Sequence, residues 1–255
     1  MRIAVAGGTG TVGRHAVHAA RERGHEVVLL TRGNGVDLVS GSGLDAALRG
    51  VDVVIDASNI DSLSAKKATE FFSTVTRNLL AAEEAAGVRH HVAPSIVGID
   101  RAPYGYFAAK LAHEHAIEAG AVPWTIMRAM QFHEFAGQAL ERLTVAGVHL
   151  APKVRTQPVA AREVGERLVE LAEGAPAGHA PDFAGPRQEH LDDMIRRLAH
   201  ATGVKGPVIA VSMPNKQLAA MKRGDTLPGP DAILAHQTFD EWVAEQAGAV
   251  RQPAR

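Results

Sequence analysis

Residues 7–13 read Gly7-Gly8-Thr9-Gly10-Thr11-Val12-Gly13, and no other stretch restricts the fold so tightly. Before them stands Ile3–Ala6, a short apolar run too brief for a helix; after them Thr11–Arg23 carries apolar residues at helical spacing. The segment is therefore a strand that turns through glycines directly into a helix. Two registers overlap: Gly8, Gly10 and Gly13 fit G-x-G-x-x-G, while Gly7, Gly10 and Gly13 fit G-x-x-G-x-x-G. Either way the first glycine permits the tight turn, Gly10 lets a ligand approach the backbone, and Gly13 lets the helix pack closely on the sheet. The unbonded N–H groups at the helix start favour an anion. In this context the expected anion is the pyrophosphate of a dinucleotide, bound along the loop Gly7–Gly13, Thr9 and Thr11 included.

The following residues repeat the alternation. Glu26–Thr31, Val51–Asp56, His90–Pro94 and Trp124–Arg128 read as strands; Ser64–Ala86 and Tyr104–Ala119 read as helices, with Leu44–Leu48 a helical turn. Gly24, Gly87 and Gly120 follow the three long helices, where left-handed caps are expected. Asp37 is expected on a third strand. This rhythm predicts an α/β fold with a doubly wound parallel sheet, the Rossmann arrangement, over residues 1–130. Residues 131–255 read as a smaller, mostly helical substrate lobe, from which about 155–175 return to the core. Its helices are expected at Phe132–Ala146, Arg162–Ala172, His190–Ala201 and Thr238–Gln246, followed by a frayed tail to Arg255.

With 46% apolar residues, a chain of 255 residues can bury a full core. Its 27 Lys and Arg against 28 Asp and Glu leave no basic surplus for nucleic acid. It has no cysteine, which excludes disulfides, thiolate catalysis and Cys-type zinc sites. No apolar run reaches membrane-span length. These features predict a soluble, cytoplasmic protein, monomer or homodimer, whose partner is a small-molecule substrate rather than nucleic acid or a membrane.

The end of the second strand bears on the cofactor. NAD-preferring proteins usually place an acid there; here stand Thr31 and Arg32. Arg32, assisted by Arg14, suits a 2′-phosphate, so NADP(H) is expected over NAD(H). Asp37 and Leu38 are expected near the adenine. Further on, Tyr106 and Lys110 stand four apart on one helix face, and Tyr104 and Tyr106 are the chain's two tyrosines. An ammonium beside Tyr106 would lower its pKa toward acid–base duty. Ser95, at the carboxyl end of a strand, is placed to orient a carbonyl. Tyr106, Lys110 and Ser95 are thus the expected catalytic residues.

At this point the chain resembles the short-chain dehydrogenase/reductase superfamily, in its atypical NmrA-like branch. The resembling segments are Gly7–Arg14, Val51–Asn59, Arg89–Gly98, Tyr106–Leu111, Val122–Ala129 and Thr238–Val243. The resemblance implies a Rossmann core and substrate bound between core and carboxyl-terminal lobe. It also implies that Ala57, Ser58 and Asn59 line the cofactor after a fourth strand, and that Lys110 holds the ribose. The branch often lacks the tyrosine, and some members sense the NADP(H)/NADP ratio; Tyr106 favours an enzyme. The Ser95-to-Tyr106 interval is short for the superfamily's main pattern.

Thirteen histidines invite a metal, but His-Glu-x-x-His is absent, so none is expected and solvated or capping roles are assigned. Gln131, Phe132 and His133 follow the last core strand and are the substrate-contact candidates. The leading expectation is NADPH-dependent reduction of a small or medium apolar carbonyl, enone or quinone. The alternatives are an NADP(H)-sensing regulatory protein and, third, an epimerase or dehydratase.

Overall fold

The computed structural model describes residues 1–62 and 64–251. The amino-terminal elements are β1 (Arg2–Ala6), α1 (Gly13–Glu22), β2 (Glu26–Leu30), α2 (Leu44–Ala47), β3 (Val53–Asp56), α3 (Ala65–Ala86), β4 (His90–Ile96), α4 (Tyr106–Glu118) and β5 (Trp124–Ala129). Then come α5 (Glu134–Arg142), β6 (Thr144–Val145), β7 (Val148–Pro152), β8 (Arg155–Thr156), α6 (Ala161–Glu173), β9 (Gly178–Ala184) and β10 (Glu189–His190). The last are α7 (Leu191–Thr202), β11 (Val208–Val211), α8 (Lys216–Arg223), β12 (Ile233–Leu234) and α9 (Phe239–Arg251).

Seven strands form one sheet in the order β12-β9-β5-β4-β3-β1-β2. β1 pairs in parallel with β2 on one side and β3 on the other, and β3 with β4. Strand order therefore reverses between β1 and β3, and the crevice for a ligand opens at their carboxyl ends. Helices cover the sheet, so Ile3–Ala6 and Val53–Asp56 are buried without alternation, as parallel sheets require.

The chain divides into two compact units, Met1–Arg128 with Ala161–Pro181, and Ala129–Ala160 with Asp182–Arg255. In the first unit α6 packs on α1, where a Cβ on Gly165 would stand 2.6 Å from Ala16 N. In the second, β7 pairs with β6 and β11 in a small sheet, and α7 packs against α5 and α9.

Several expectations are corrected. Asp37 lies on no strand. Gly35, Gly41 and Gly43 are all left-handed, and the Asp37 carboxylate accepts from Val39 N and Ser40 N, so the segment folds into turns. Val53–Asp56 is consequently the third strand in the chain, and Ala57–Asn59 follow the third rather than a fourth. Gly24 and Gly87 are left-handed caps, but Gly120 is not; there the missing Cβ makes room for Leu80 Cδ1, which would lie 2.9 Å away. The helix expected over Phe132–Ala146 stops at Arg142, because Ala146 and Gly147 both turn left-handed and close the β6–β7 hairpin. The last helix runs on to Arg251 instead of ending at Gln246; the rest of the expected frayed tail, 252–255, lies outside the described residues.

Candidate dinucleotide site and active site

Leaving β1, the chain turns at Gly7 with φ +68°, where a Cβ would lie 2.4 Å from the Ala57 carbonyl beyond β3. At Gly13 a Cβ would meet the Gly7 carbonyl at 2.1 Å. Both glycines are thus required by the protein's own backbone. Gly10 differs: it is exposed, bonds through its N–H to Gly7 O at 2.8 Å, and a Cβ there would touch only that carbonyl, at 3.2 Å. Its outer side is open to a ligand. The N–H groups of Thr11 and Val12 take no protein acceptor among the described residues, which leaves donors at the start of α1 for phosphate oxygens.

Around this loop, Thr9 is exposed, and Arg32 is exposed with no side-chain partner among the described residues. Arg14 rests its Nε 3.3 Å from His15 Nε2. The Leu38 carbonyl accepts from Asn78 Nδ2 at 3.0 Å. Ser58 Oγ and Ser95 Oγ, at the ends of β3 and β4, are buried and have no hydrogen-bond partner among the described residues. An open glycine cradle, unspent backbone donors and orphaned hydroxyls at the switch point fit a dinucleotide.

Tyr106 opens α4 and gives its hydroxyl proton to Asn59 Oδ1 at 2.6 Å. Burial pushes that hydroxyl up, so it stays protonated. This reverses the lowering expected from a neighbouring ammonium, because the Lys110 head turns elsewhere. Lys110 is 5% exposed, and its Nζ donates to Pro94 O at 3.0 Å and to His113 Nδ1 at 2.7 Å. It also lies 4.8 Å above the Phe72 ring. Burial pulls its pKa down to about 8, against the opposing pull of Asp56 and Glu114.

His113 was not foreseen. It is buried, stacks on Phe72 at 5.1 Å, and brings Nε2 within 3.3 Å of Asp56 Oδ2. Burial and then Lys110 lower its pKa to about 4, so the ring is neutral. Asp56 Oδ1 accepts from Ser58 N at 3.0 Å. His91 is also fully buried and bonds Glu83 at 3.0 Å. Burial would lower the His91 pKa, but the Glu83 carboxylate outweighs it and raises it. The solvated or capping role assigned to the histidines therefore fails for His91 and His113. Strand β4 is covered on both faces, and α4 turns His113 toward β3 while His115 remains exposed.

In the second unit, Gln131 and Phe132 line a narrow apolar crevice with Phe135, Val154, Met194 and Met221. His133 does not line it. That side chain is buried, bonds the Gln237 carbonyl at 3.2 Å, and packs on Phe239 and Trp242. Among the described residues, Glu114, Glu118 and His179 come within metal-binding reach of one another. Arg128 already grips Glu114 through two bonds of 3.0 and 2.7 Å.

A glycine turn at the switch point of a parallel sheet, with unspent donors at a helix start, defines a Rossmann-type dinucleotide-binding protein. The chain belongs to the NAD(P)H-binding family, which matches residues 7–173. Its fold is shared by the NADPH-dependent quinone oxidoreductase QOR2 of Escherichia coli, with a TM-score of 0.72, 16% identity and coverage of 98% of this chain and 100% of that one. The triphenylmethane reductase of Citrobacter sp., solved with NADP(H), gives 0.71 and 17% over 97% and 100%. A short-chain dehydrogenase/reductase superfamily protein of Agrobacterium tumefaciens, solved with NAD, gives 0.66 and 19% over 98% and 97%. These likenesses show the fold. In sequence, 111 residues are 34% identical to the photosystem II assembly factor Ycf39 of Synechocystis sp.. The match spans 38% of this chain and about a third of that protein's length. No helix among the described residues is long and apolar enough to cross a membrane.

Proposed function

We propose that the protein is an NADPH-dependent reductase of a small or medium apolar carbonyl, enone or quinone. The observation that carries this reading is the Tyr106 hydroxyl, kept protonated by burial and aimed at Asn59 immediately after β3, with the buried Lys110 one helical turn on.

Gly7, Thr9, Gly10, Thr11, Val12 and Gly13 hold the pyrophosphate, and Arg32, with Arg14, takes the 2′-phosphate. Asp37 and Leu38 border the adenine; because the Asp37 carboxylate is spent on its own turn, its backbone makes that border. Ala57, Ser58 and Asn59 line the cofactor, and Lys110 steadies the nicotinamide ribose. When bound, the cofactor supplies the hydride. Tyr106 holds a proton at its hydroxyl oxygen for the substrate oxygen, and Asn59 Oδ1 fixes that hydroxyl in the resting protein. Ser95 Oγ, buried and unpaired, orients the substrate oxygen. His133 is a packing residue.

The test is NADPH oxidation against a panel of quinones, enones and aldehydes, with wild type and Tyr106→Phe. The reading predicts turnover that falls about 100-fold or more in the variant, with NADPH affinity retained. Equal turnover in both proteins removes Tyr106 from catalysis.

A second reading, an NADP(H)-binding regulatory protein without catalysis, draws support from the stretch similar to an assembly factor. It predicts no turnover on the whole panel, with NADPH binding intact in both proteins.

A further inference from the structure

Lys110 sits where an ammonium is hardest to keep. It is buried among an aromatic ring, a carbonyl and an imidazole, and an isolated lysine so placed gives up its proton. The hydrogen-bond pattern shows what opposes that loss. A lysine ammonium only donates, so His113 Nδ1 is the acceptor of the 2.7 Å bond and the ring carries its proton on Nε2. That Nε2 lies 3.3 Å from Asp56 Oδ2, within ion-pair distance though not aligned as a hydrogen bond, and the other Asp56 oxygen is held by Ser58 N. Phe72 stacks on the imidazole at an interplanar angle of 18° and lies beneath Nζ, so both groups rest on one rigid surface.

We propose that Asp56 and His113 are positioning residues of the Tyr106–Lys110 site. The neutral imidazole transmits the Asp56 charge to Lys110, fixing the ammonium against Pro94 O and keeping it charged in a dry pocket. The inference rests on the reading of Lys110 as an active-site residue, yet its chemistry stands on this geometry alone. The groups facing Lys110 account for the balance. From β3 comes Asp56, and from α4 come His113 and Glu114, the last neutralised by Arg128. From β4 comes His91, which is bonded to Glu83 on α3. Among the described residues Asp56 is thus the carboxylate of this set paired with neither an arginine nor a second histidine, and its route to Lys110 runs through His113.

The measurement is the titration of the Lys110 Nζ in 15N-lysine-labelled protein, the resonance assigned by its loss in Lys110→Met. Wild type is compared with Asp56→Asn and His113→Asn. Asparagine at 113 keeps an acceptor for Lys110 but is too short to reach Asp56, whereas asparagine at 56 keeps the shape and removes the charge. The proposal predicts that the Lys110 midpoint falls by about one pH unit or more in each folded variant. Midpoints unchanged in variants that retain the wild-type circular dichroism overturn it, since a merely structural pair would lower thermal stability and leave the titration alone. If His113→Asn does not fold, Asp56→Asn decides by the same criterion. The result is independent of Tyr106→Phe turnover, so failure of the catalytic reading and failure of this proposal are told apart.

Discussion

Replacing Lys110 by methionine isolates the energetic cost of the charged site. The lysine pKa falls from 10.5 to about 8 because the protein buries the ammonium. At about 1.4 kcal/mol per pH unit, that difference corresponds to about 3 kcal/mol. The sign follows from proton binding. Between the two values the unfolded chain holds a proton on Lys110 that the folded chain has released, so wild-type stability rises with pH across that window. Below about pH 8 the penalty is fully present; above about pH 10.5 it is gone. Methionine matches the length of the apolar stem and does not titrate. It leaves Pro94 O and His113 Nδ1 unpaired, which costs about 1–3 kcal/mol and nearly cancels the gain at neutral pH. The slope is therefore more telling than any single value. Urea unfolding followed by circular dichroism, repeated from about pH 7 to about pH 10.5, should show wild type gaining about 3 kcal/mol relative to Lys110→Met. A flat difference across that range, or one of opposite slope, refutes the reasoning.

Other consequences are as direct. Gly165→Ala sets a Cβ against the backbone of α1 and should lower stability by about 1–3 kcal/mol in the same unfolding assay. Gly13→Ala forces the loop off the Gly7 carbonyl, and NADPH affinity measured by fluorescence titration should drop about tenfold or more. Asn59→Ala removes the acceptor of the Tyr106 hydroxyl; since Asn59 is exposed, unfolding free energy should change by less than about 1 kcal/mol, while kcat falls.

The glycine loop, the strands that follow it and their helices could be read from the chain because each is a local matter of periodicity, length and left-handed caps. The strands that follow β5 could not. Gly178–Ala184 contains a glycine, a histidine and a proline, and owes its strand to its neighbours in the sheet. Asp37 misled for the converse reason: the rhythm of the chain placed it on a third strand, but the glycines around it bend the backbone. At the candidate site, sequence spacing showed that Tyr106 and Lys110 share a helix. It could not show where Lys110 Nζ points, since its acceptor Pro94 O comes from β4, and Asp56, reached through His113, from β3. Nor did any motif separate the buried His91 and His113 from the exposed His115, as burial on both faces of β4 leaves no alternation to read.

The central claim, a dinucleotide site that selects the 2′-phosphate, is tested most directly by calorimetric titration with NADPH and NADH in wild type and Arg32→Ala. Arg32 is exposed and uncommitted to any described side chain, so its whole hydrogen-bonding capacity is available to a phosphate. A charge-assisted contact of that kind corresponds to about 10- to 100-fold in affinity. The account predicts that wild type prefers NADPH by such a factor and that Arg32→Ala loses the preference while binding NADH unchanged. Equal affinity of wild type for the two cofactors would contradict it.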